Sequence, residues 1–218
     1  MWMNRNRLKG IYAITDPDLM GAELLQKSEQ AILGGINILQ YRNKTATLSQ
    51  QENEARTLAE LCKKHNVLFI INDNVELAIH VNADGVHLGQ TDTHIEKARE
   101  LLGKNKIIGV TCNNKIELAS TAQQQGADYV AFGRFFNSNT KPSAPAASLS
   151  LLTSARNSIT LPIAAIGGIT KESASALLSE GADMLAVIHG IFGQKDIRQA
   201  TRQLVELFDT IDTPQSDL

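Results

Sequence analysis

Eight times in succession a short apolar run is followed by a segment with helical spacing, and this regularity limits the chain more than any other feature. The runs are Gly10–Asp16, Ile36–Arg42, Val67–Ile71, Gly85–Gly89, Lys106–Val110, Tyr129–Phe132, Ile163–Ile166 and Met184–Ile188. Apart from His87 in the fourth, each is continuously apolar in its middle, as expected of parallel strands covered on both faces. The helical segments are Glu23–Leu33, Leu48–His65, Val75–Val81, His94–Leu102, Ile116–Gln125, Leu149–Asn157, Glu172–Glu180 and Ile197–Phe208. Strict alternation through eight repeats predicts an α/β fold, a closed (β/α)8 TIM barrel. An open doubly wound sheet is the competing architecture, but no Gly-x-Gly-x-x-Gly turn follows the first run. No Pro/Ser-rich linker divides the chain, so residues 1–218 are expected to form one domain with a polar N-terminal arm (1–9) and a frayed C-terminal tail (213–218). The one long connection, Phe135 to Ala147, is rich in Asn, Ser, Pro and Lys, the composition of a functional loop.

A net charge of -2 and the lack of any basic run argue against a nucleic-acid partner. No apolar stretch is long enough for a membrane span, and no apolar segment follows the basic residues of Met1–Lys9 as a signal peptide would require. Cys62 and Cys112 have neither metal-ligand spacing nor a disulfide framework, and Cys62 falls on a helical stripe as a buried thiol. A cytoplasmic protein is expected. Its oligomeric state is left open, with a homo-oligomer compatible.

In a barrel all strand C-termini open on one face, and that face carries the active site. The second run delivers Gln40, Arg42 and Lys44, which alternate along an extended chain and suit a multiply charged anion such as pyrophosphate. The third adds Asn72 and Asp73, the segment after the fourth Asp92 and His94, the fifth Thr111, and the loop after the sixth Ser138, Thr140 and Lys141. Asp73 and Asp92 are the acids suited to Mg2+, with anion oxygens and waters completing the shell. Both also precede helical segments, where an Asp often serves as an N-cap. Gly167-Gly168 ahead of a helix, and Ile188-His189-Gly190, offer backbone amides to a second anion. Two anion sites suggest two phosphorylated small-molecule substrates. His65 and His80 are expected at the surface, and His87 reads as a satisfied core histidine. Since no nucleophile or general base stands out, displacement of pyrophosphate through positioning and charge stabilisation suits the residue set.

Taken together, Gln40-Tyr41-Arg42-Asn43-Lys44, Ile71-Asn72-Asp73, the block from Ala83-Asp84 through Gly89-Gln90 to Asp92, Gly109-Val110-Thr111, Ser138-Asn139-Thr140-Lys141 and Ala165-Ile166-Gly167-Gly168-Ile169 resemble the thiamine phosphate synthase family. The match runs from the first strand to the last helix in motif order. The resemblance implies a transferase of thiamine biosynthesis that couples 4-amino-2-methyl-5-(diphosphooxymethyl)pyrimidine to a carboxylated thiazole phosphate, releasing pyrophosphate and CO2. It further implies that Gln40, Tyr41, Arg42, Asn43, Lys44, Asn72, Thr111 and Lys141 hold the pyrimidine pyrophosphate, with Lys141, Arg42 and Thr111 acting on the departing group. Asp73 and Asp92 would hold Mg2+, and Ser138, Asn139, Thr140, Gly168, Ile188 and His189 the thiazole phosphate. The chain departs from the family pattern at Asn43, Thr111, Asn137-Ser138 and His189, mostly on the thiazole side. A thiazole tautomerase on the same fold needs one phosphate site and an acid/base group, with no use for the cation cluster and Asp pair. A barrel that binds these ligands without turnover is the non-enzymatic rival.

Overall fold

The computed structural model describes residues 5–137 and 145–212. Eight parallel strands close into a barrel in chain order: β1 Gly10–Ile14, β2 Ile38–Tyr41, β3 Leu68–Asn72, β4 Gly85–Leu88, β5 Ile107–Asn113, β6 Tyr129–Phe132, β7 Ile163–Ile166 and β8 Met184–Val187. Pairing of β8 with β1, Met184 opposite Gly10, completes the ring and rules out the open sheet. The helices are α1 Pro17–Met20, α2 Leu24–Gly34, α3 Leu48–Lys64, α4 Val75–His80, α5 Ile95–Leu102, α6 Ile116–Gln124, α7 Ser150–Arg156, α8 Lys171–Ser179, α9 His189–Phe192 and α10 Ile197–Asp212. The short α1 and α9 fall outside the eight expected helical segments. The expected tail at 213–218 lies beyond the described residues, and of the N-terminal arm Arg5–Arg7 forms a 3-10 turn. Among the described residues no helix is long and apolar enough to cross a membrane.

Alternation along each strand divides the apolar residues into two cores. Outward-facing Ile11, Leu39, Phe69, Val86, Ile108, Val130 and Leu185 pack under the helices, where Cys62 and Cys112 are also buried. Inward-facing Tyr12, Ile38, Leu68, Ile70, Ile107, Tyr129 and Met184 fill the barrel, with Leu8 buried against the same set. The Tyr129 ring fits because β5 has Gly109 at the facing position, where a Cβ would lie under 3 Å from two ring carbons and the hydroxyl oxygen. Higher in the barrel the inward residues of β6, β7 and β8 are Ala131, Ala164 and Ala186, whose small side chains leave room for a cavity.

The opposite end is tied by one device repeated before every even-numbered strand. Asn37, Asp84, Asp128 and Asp183 each accept the backbone N–H at the start of the preceding odd strand, from Ile11 (3.0 Å), Phe69 (2.8 Å), Ile108 (2.8 Å) and Ile163 (2.7 Å). Two residues before each clasp stands one with positive φ: Gly35, Asn82, Gly126 and Gly181. Arg99 and Arg156 pair with Asp128 and Asp183. Asp84, which opens the motif block that runs to Asp92, is therefore a structural residue far from the strand C-termini.

Candidate active site

One cavity of about 470 Å3 opens at the C-terminal ends of the strands. Its wall holds Gln40, Arg42 and Lys44 from β2 and its exit, Asn72 and Asp73 from β3, Asp92 from the loop after β4, and Thr111 from β5. Gly167 and Gly168 after β7, and Ile188, His189 and Gly190 after β8, form the other side. These predicted residues, drawn from six strands, meet in one space. Ser138, Asn139, Thr140 and Lys141 lie outside the described residues.

Two members of the predicted cluster face elsewhere. Tyr41 is buried outside the barrel and donates its hydroxyl to Glu54 at 2.7 Å. Asn43 also donates to Glu54 (3.1 Å) and accepts from the Thr45 and Ala46 amides, which shapes the turn ahead of α3. The cause is pleat parity: Gln40 points inward, so its neighbour Tyr41 must point outward. Although β2 ends at Tyr41, Arg42 and Lys44 still reach the cavity, with the Arg42 amide fixed by Thr15 Oγ1 at 2.8 Å. His94, also placed on the rim by the sequence, is the exposed N-cap of α5 and lines no part of the cavity.

Neither acid caps a helix. Asn74 caps α4 and His94 stands at the cap of α5. Asp73 sits at φ 61, a left-handed conformation that turns its carboxylate toward Asp92, within hydrogen-bonding reach. Burial pushes Asp73 upward, but the hydrogen bond from Lys44 leads the influences that bring it below the usual carboxylate range. Lys44 Nζ lies 2.8 Å from Asp73 Oδ2. Burial, and then the Asp73 carboxylate, raise Asp92, while Gly89 N–H donates to its Oδ2 at 2.8 Å. Two acids held together on a cavity wall make an all-oxygen set of the kind Mg2+ uses with few protein ligands. No larger cluster of His, Cys, Asp or Glu converges among the described residues. Arg42 lines the cavity and forms no ion pair among the described residues.

On the far side, Gly167 and Gly168 have φ values of 107 and 63 and pack under the segment leaving β6. A Cβ at Gly168 would collide with the Asn137 carbonyl, and the Gly167 carbonyl accepts from Phe136 N–H at 3.0 Å. The glycine pair thus admits a backbone crossing as well as baring amides; those of Gly168 and Ile169 donate to no described residue. Asn137, noted in the sequence as a departure on the thiazole side, lines this side; Arg134, which sequence reasoning missed, lies beside it, with Arg134 Nη1 donating to Asn137 Oδ1 at 3.2 Å. An arginine directly after the glycine that follows a barrel strand was the available signal. Also missed was Tyr12 on the cavity floor, which strand parity identifies as inward-facing.

Residues 11–191 match the family described as Thiamine monophosphate synthase. The chain is 50% identical over 212 residues to a thiamine-phosphate synthase of Alcanivorax borkumensis, covering 95% of this chain and 98% of that one. It is 46% identical over 205 residues to the thiamine-phosphate synthase of Thioalkalivibrio sulfidiphilus, with 93% and 97% coverage. The thiamine phosphate pyrophosphorylase of Pyrococcus furiosus superposes with a TM-score of 0.87 at 35% identity, covering 95% of this chain and 98% of that chain. With its barrel, its cavity at the strand C-termini and these relatives, the chain belongs to the thiamine monophosphate synthase family and is a transferase of thiamine biosynthesis.

Proposed function

We propose that the protein joins 4-amino-2-methyl-5-(diphosphooxymethyl)pyrimidine to a carboxylated thiazole phosphate, releasing pyrophosphate and CO2 to give thiamine phosphate. The observation that carries this reading is a single cavity with a cationic, acid-bearing wall on one side and, on the other, beside Arg134, backbone amides that donate to no described residue. Arg42 and Lys44 receive the pyrophosphate with Asn72 and the Thr111 hydroxyl, and Gln40 at the floor meets the pyrimidine ring. The Gly168 and Ile169 amides, with Arg134, receive the thiazole phosphate.

Asp73 and Asp92 would hold Mg2+, which when bound supplies charge neutralisation to the leaving pyrophosphate. The protein's own contribution is positional and electrostatic. Among the described cavity residues there is no Cys or Ser, and both nitrogens of His87 are engaged in hydrogen bonds. That leaves the thiazole nitrogen as the nucleophile, and in this reading the C–O bond breaks ahead of C–N bond formation. Arg42 and Lys44 stabilise the charge that gathers on pyrophosphate, and the thiazole bound in the same cavity captures the pyrimidine cation.

The test is to incubate the purified protein with both substrates and Mg2+ and to follow pyrophosphate and thiamine phosphate together. Equal release of both, and none with either substrate alone, is the expected result. Isomerised thiazole phosphate without pyrophosphate would instead identify a tautomerase. Binding of both ligands without any product would identify a non-catalytic barrel.

A further inference from the structure

Five side chains form an unbroken hydrogen-bonded line across the cavity floor. Gln40 Nε2 donates to the Tyr12 hydroxyl at 2.6 Å, and the Tyr12 and Tyr129 hydroxyls are 2.7 Å apart. The Tyr129 hydroxyl lies 2.9 Å from His87 Nδ1, and His87 Nε2 lies 2.8 Å from Thr111 Oγ1. The line runs through β2, β1, β6, β4 and β5, so it spans the barrel from the ring-binding floor to the anion wall. Both phenols are enclosed, and burial holds each well above the ordinary tyrosine range, so both keep their protons.

Donor counting sets the direction. A phenol has one proton to give. Since Tyr12 accepts from the Gln40 amide, its proton goes to Tyr129, and the Tyr129 proton goes to His87 Nδ1. A neutral imidazole that accepts at Nδ1 carries its hydrogen on Nε2 and donates to Thr111. The Thr111 hydroxyl is then left with a proton for the cavity it lines. An imidazolium would donate in both directions and strand a phenolic proton in the closed interior, which buried hydroxyls avoid.

We infer that this line is a polarity relay: a donor on the ligand ring, received by Gln40 Oε1, holds Thr111 as a donor to the ligand's phosphate. Tyr12, Tyr129 and His87 are its positioning residues. The ligand identity rests on the proposed function, in which an amino-bearing pyrimidine carries the pyrophosphate. A ring with an acceptor in place of the amine favours the overturned Gln40 amide. The whole line then reverses, Thr111 gives its proton to His87, and a lone pair faces the phosphate. Recognition of the amine and grip on the anion are thus one event, and amino-substituted rings are selected over oxo-substituted ones.

The test has two arms that need no ring substrate. Nitrogen NMR of histidine-labelled, ligand-free protein should show His87 as the Nε2–H tautomer, its signal identified by loss in His87→Asn. In Gln40→Glu the carboxylate only accepts, so His87 should switch to Nδ1–H. In the second arm, inorganic pyrophosphate is titrated with Mg2+ into wild type, Tyr129→Phe, Thr111→Val and the double variant. Each single change should weaken binding by about 3- to 10-fold, the range for one hydrogen bond, and the double variant should bind no worse than Thr111→Val. A purely structural Tyr129 would give additive losses, and that result overturns the relay. So does an Nδ1–H tautomer in the wild type, or one that ignores Gln40→Glu. Failure of the wild type to bind pyrophosphate would sink the proposed function instead, and the tautomer arm alone would then decide the relay.

Discussion

Gly109→Ala adds one methyl group and should be among the most damaging small changes available to this barrel. The new Cβ would lie under 3 Å from Cε1, Cζ and Oη of Tyr129. Reaching an ordinary contact of about 3.5 Å requires the ring to retreat by ~1 Å or more. The ring has little room, since Tyr129 is fully buried, crosses Tyr12 edge-on at 5.9 Å and stacks on His87 at 5.5 Å. Overpacking of this kind costs about 1–3 kcal/mol. A shift of that size also breaks the Tyr129 hydrogen bonds to Tyr12 and His87, at roughly 1 kcal/mol each. The sum, about 3–5 kcal/mol, is a large part of a typical domain stability of about 5–15 kcal/mol. In urea, with a slope of about 3 kcal/mol/M for a chain of this size, the unfolding midpoint should fall by roughly 1–1.7 M. Tyr129→Leu in the same background vacates the space and should recover part of the loss. A Gly109→Ala protein within about 0.5 kcal/mol of wild type would refute the packing argument, as would a double variant no better than the single.

Asp128→Ala removes the acceptor of Ile108 N–H and the partner of Arg99 at a nearly closed site, and should cost about 2–4 kcal/mol by denaturant unfolding with pyrophosphate affinity unchanged. Asp92→Asn keeps an oxygen for Gly89 N–H but removes one charge from the acid pair. It should raise the Mg2+ concentration for half-maximal rate roughly tenfold, with rescue at high Mg2+, and wild-type activity should vanish in chelator. Wild-type turnover that survives excess chelator would disprove that role. Arg134→Gln should raise the KM for thiazole phosphate about 5- to 20-fold while pyrimidine pyrophosphate affinity holds. Equal losses for both substrates would show that Arg134 does not belong to one side of the cavity.

The barrel was legible in the sequence because its cause is local. Apolar runs alternate with helical spacing, and parallel strands that need helical crossovers have few ways to be arranged. Gln40, Arg42, Lys44, Asn72, Asp73 and Thr111 were legible for the same reason, since a strand's C-terminal end must open on the functional face. Which of two neighbouring residues enters the cavity was not legible, because it depends on strand parity relative to the barrel axis. That parity turned Tyr41 and Asn43 toward Glu54 and α3, and brought Tyr12 to the floor. The reading of Asp73 and Asp92 as a pair or as helix caps likewise waited on the tertiary fold, where the left-handed Asp73 faces the Asp92 loop. The same holds for Gly109, whose missing side chain matters only because β6 places Tyr129 against it. Local pattern determines which elements form and where each one ends. Closure of the ring decides which side chains meet across it, because those distances are set by strands far apart in the chain.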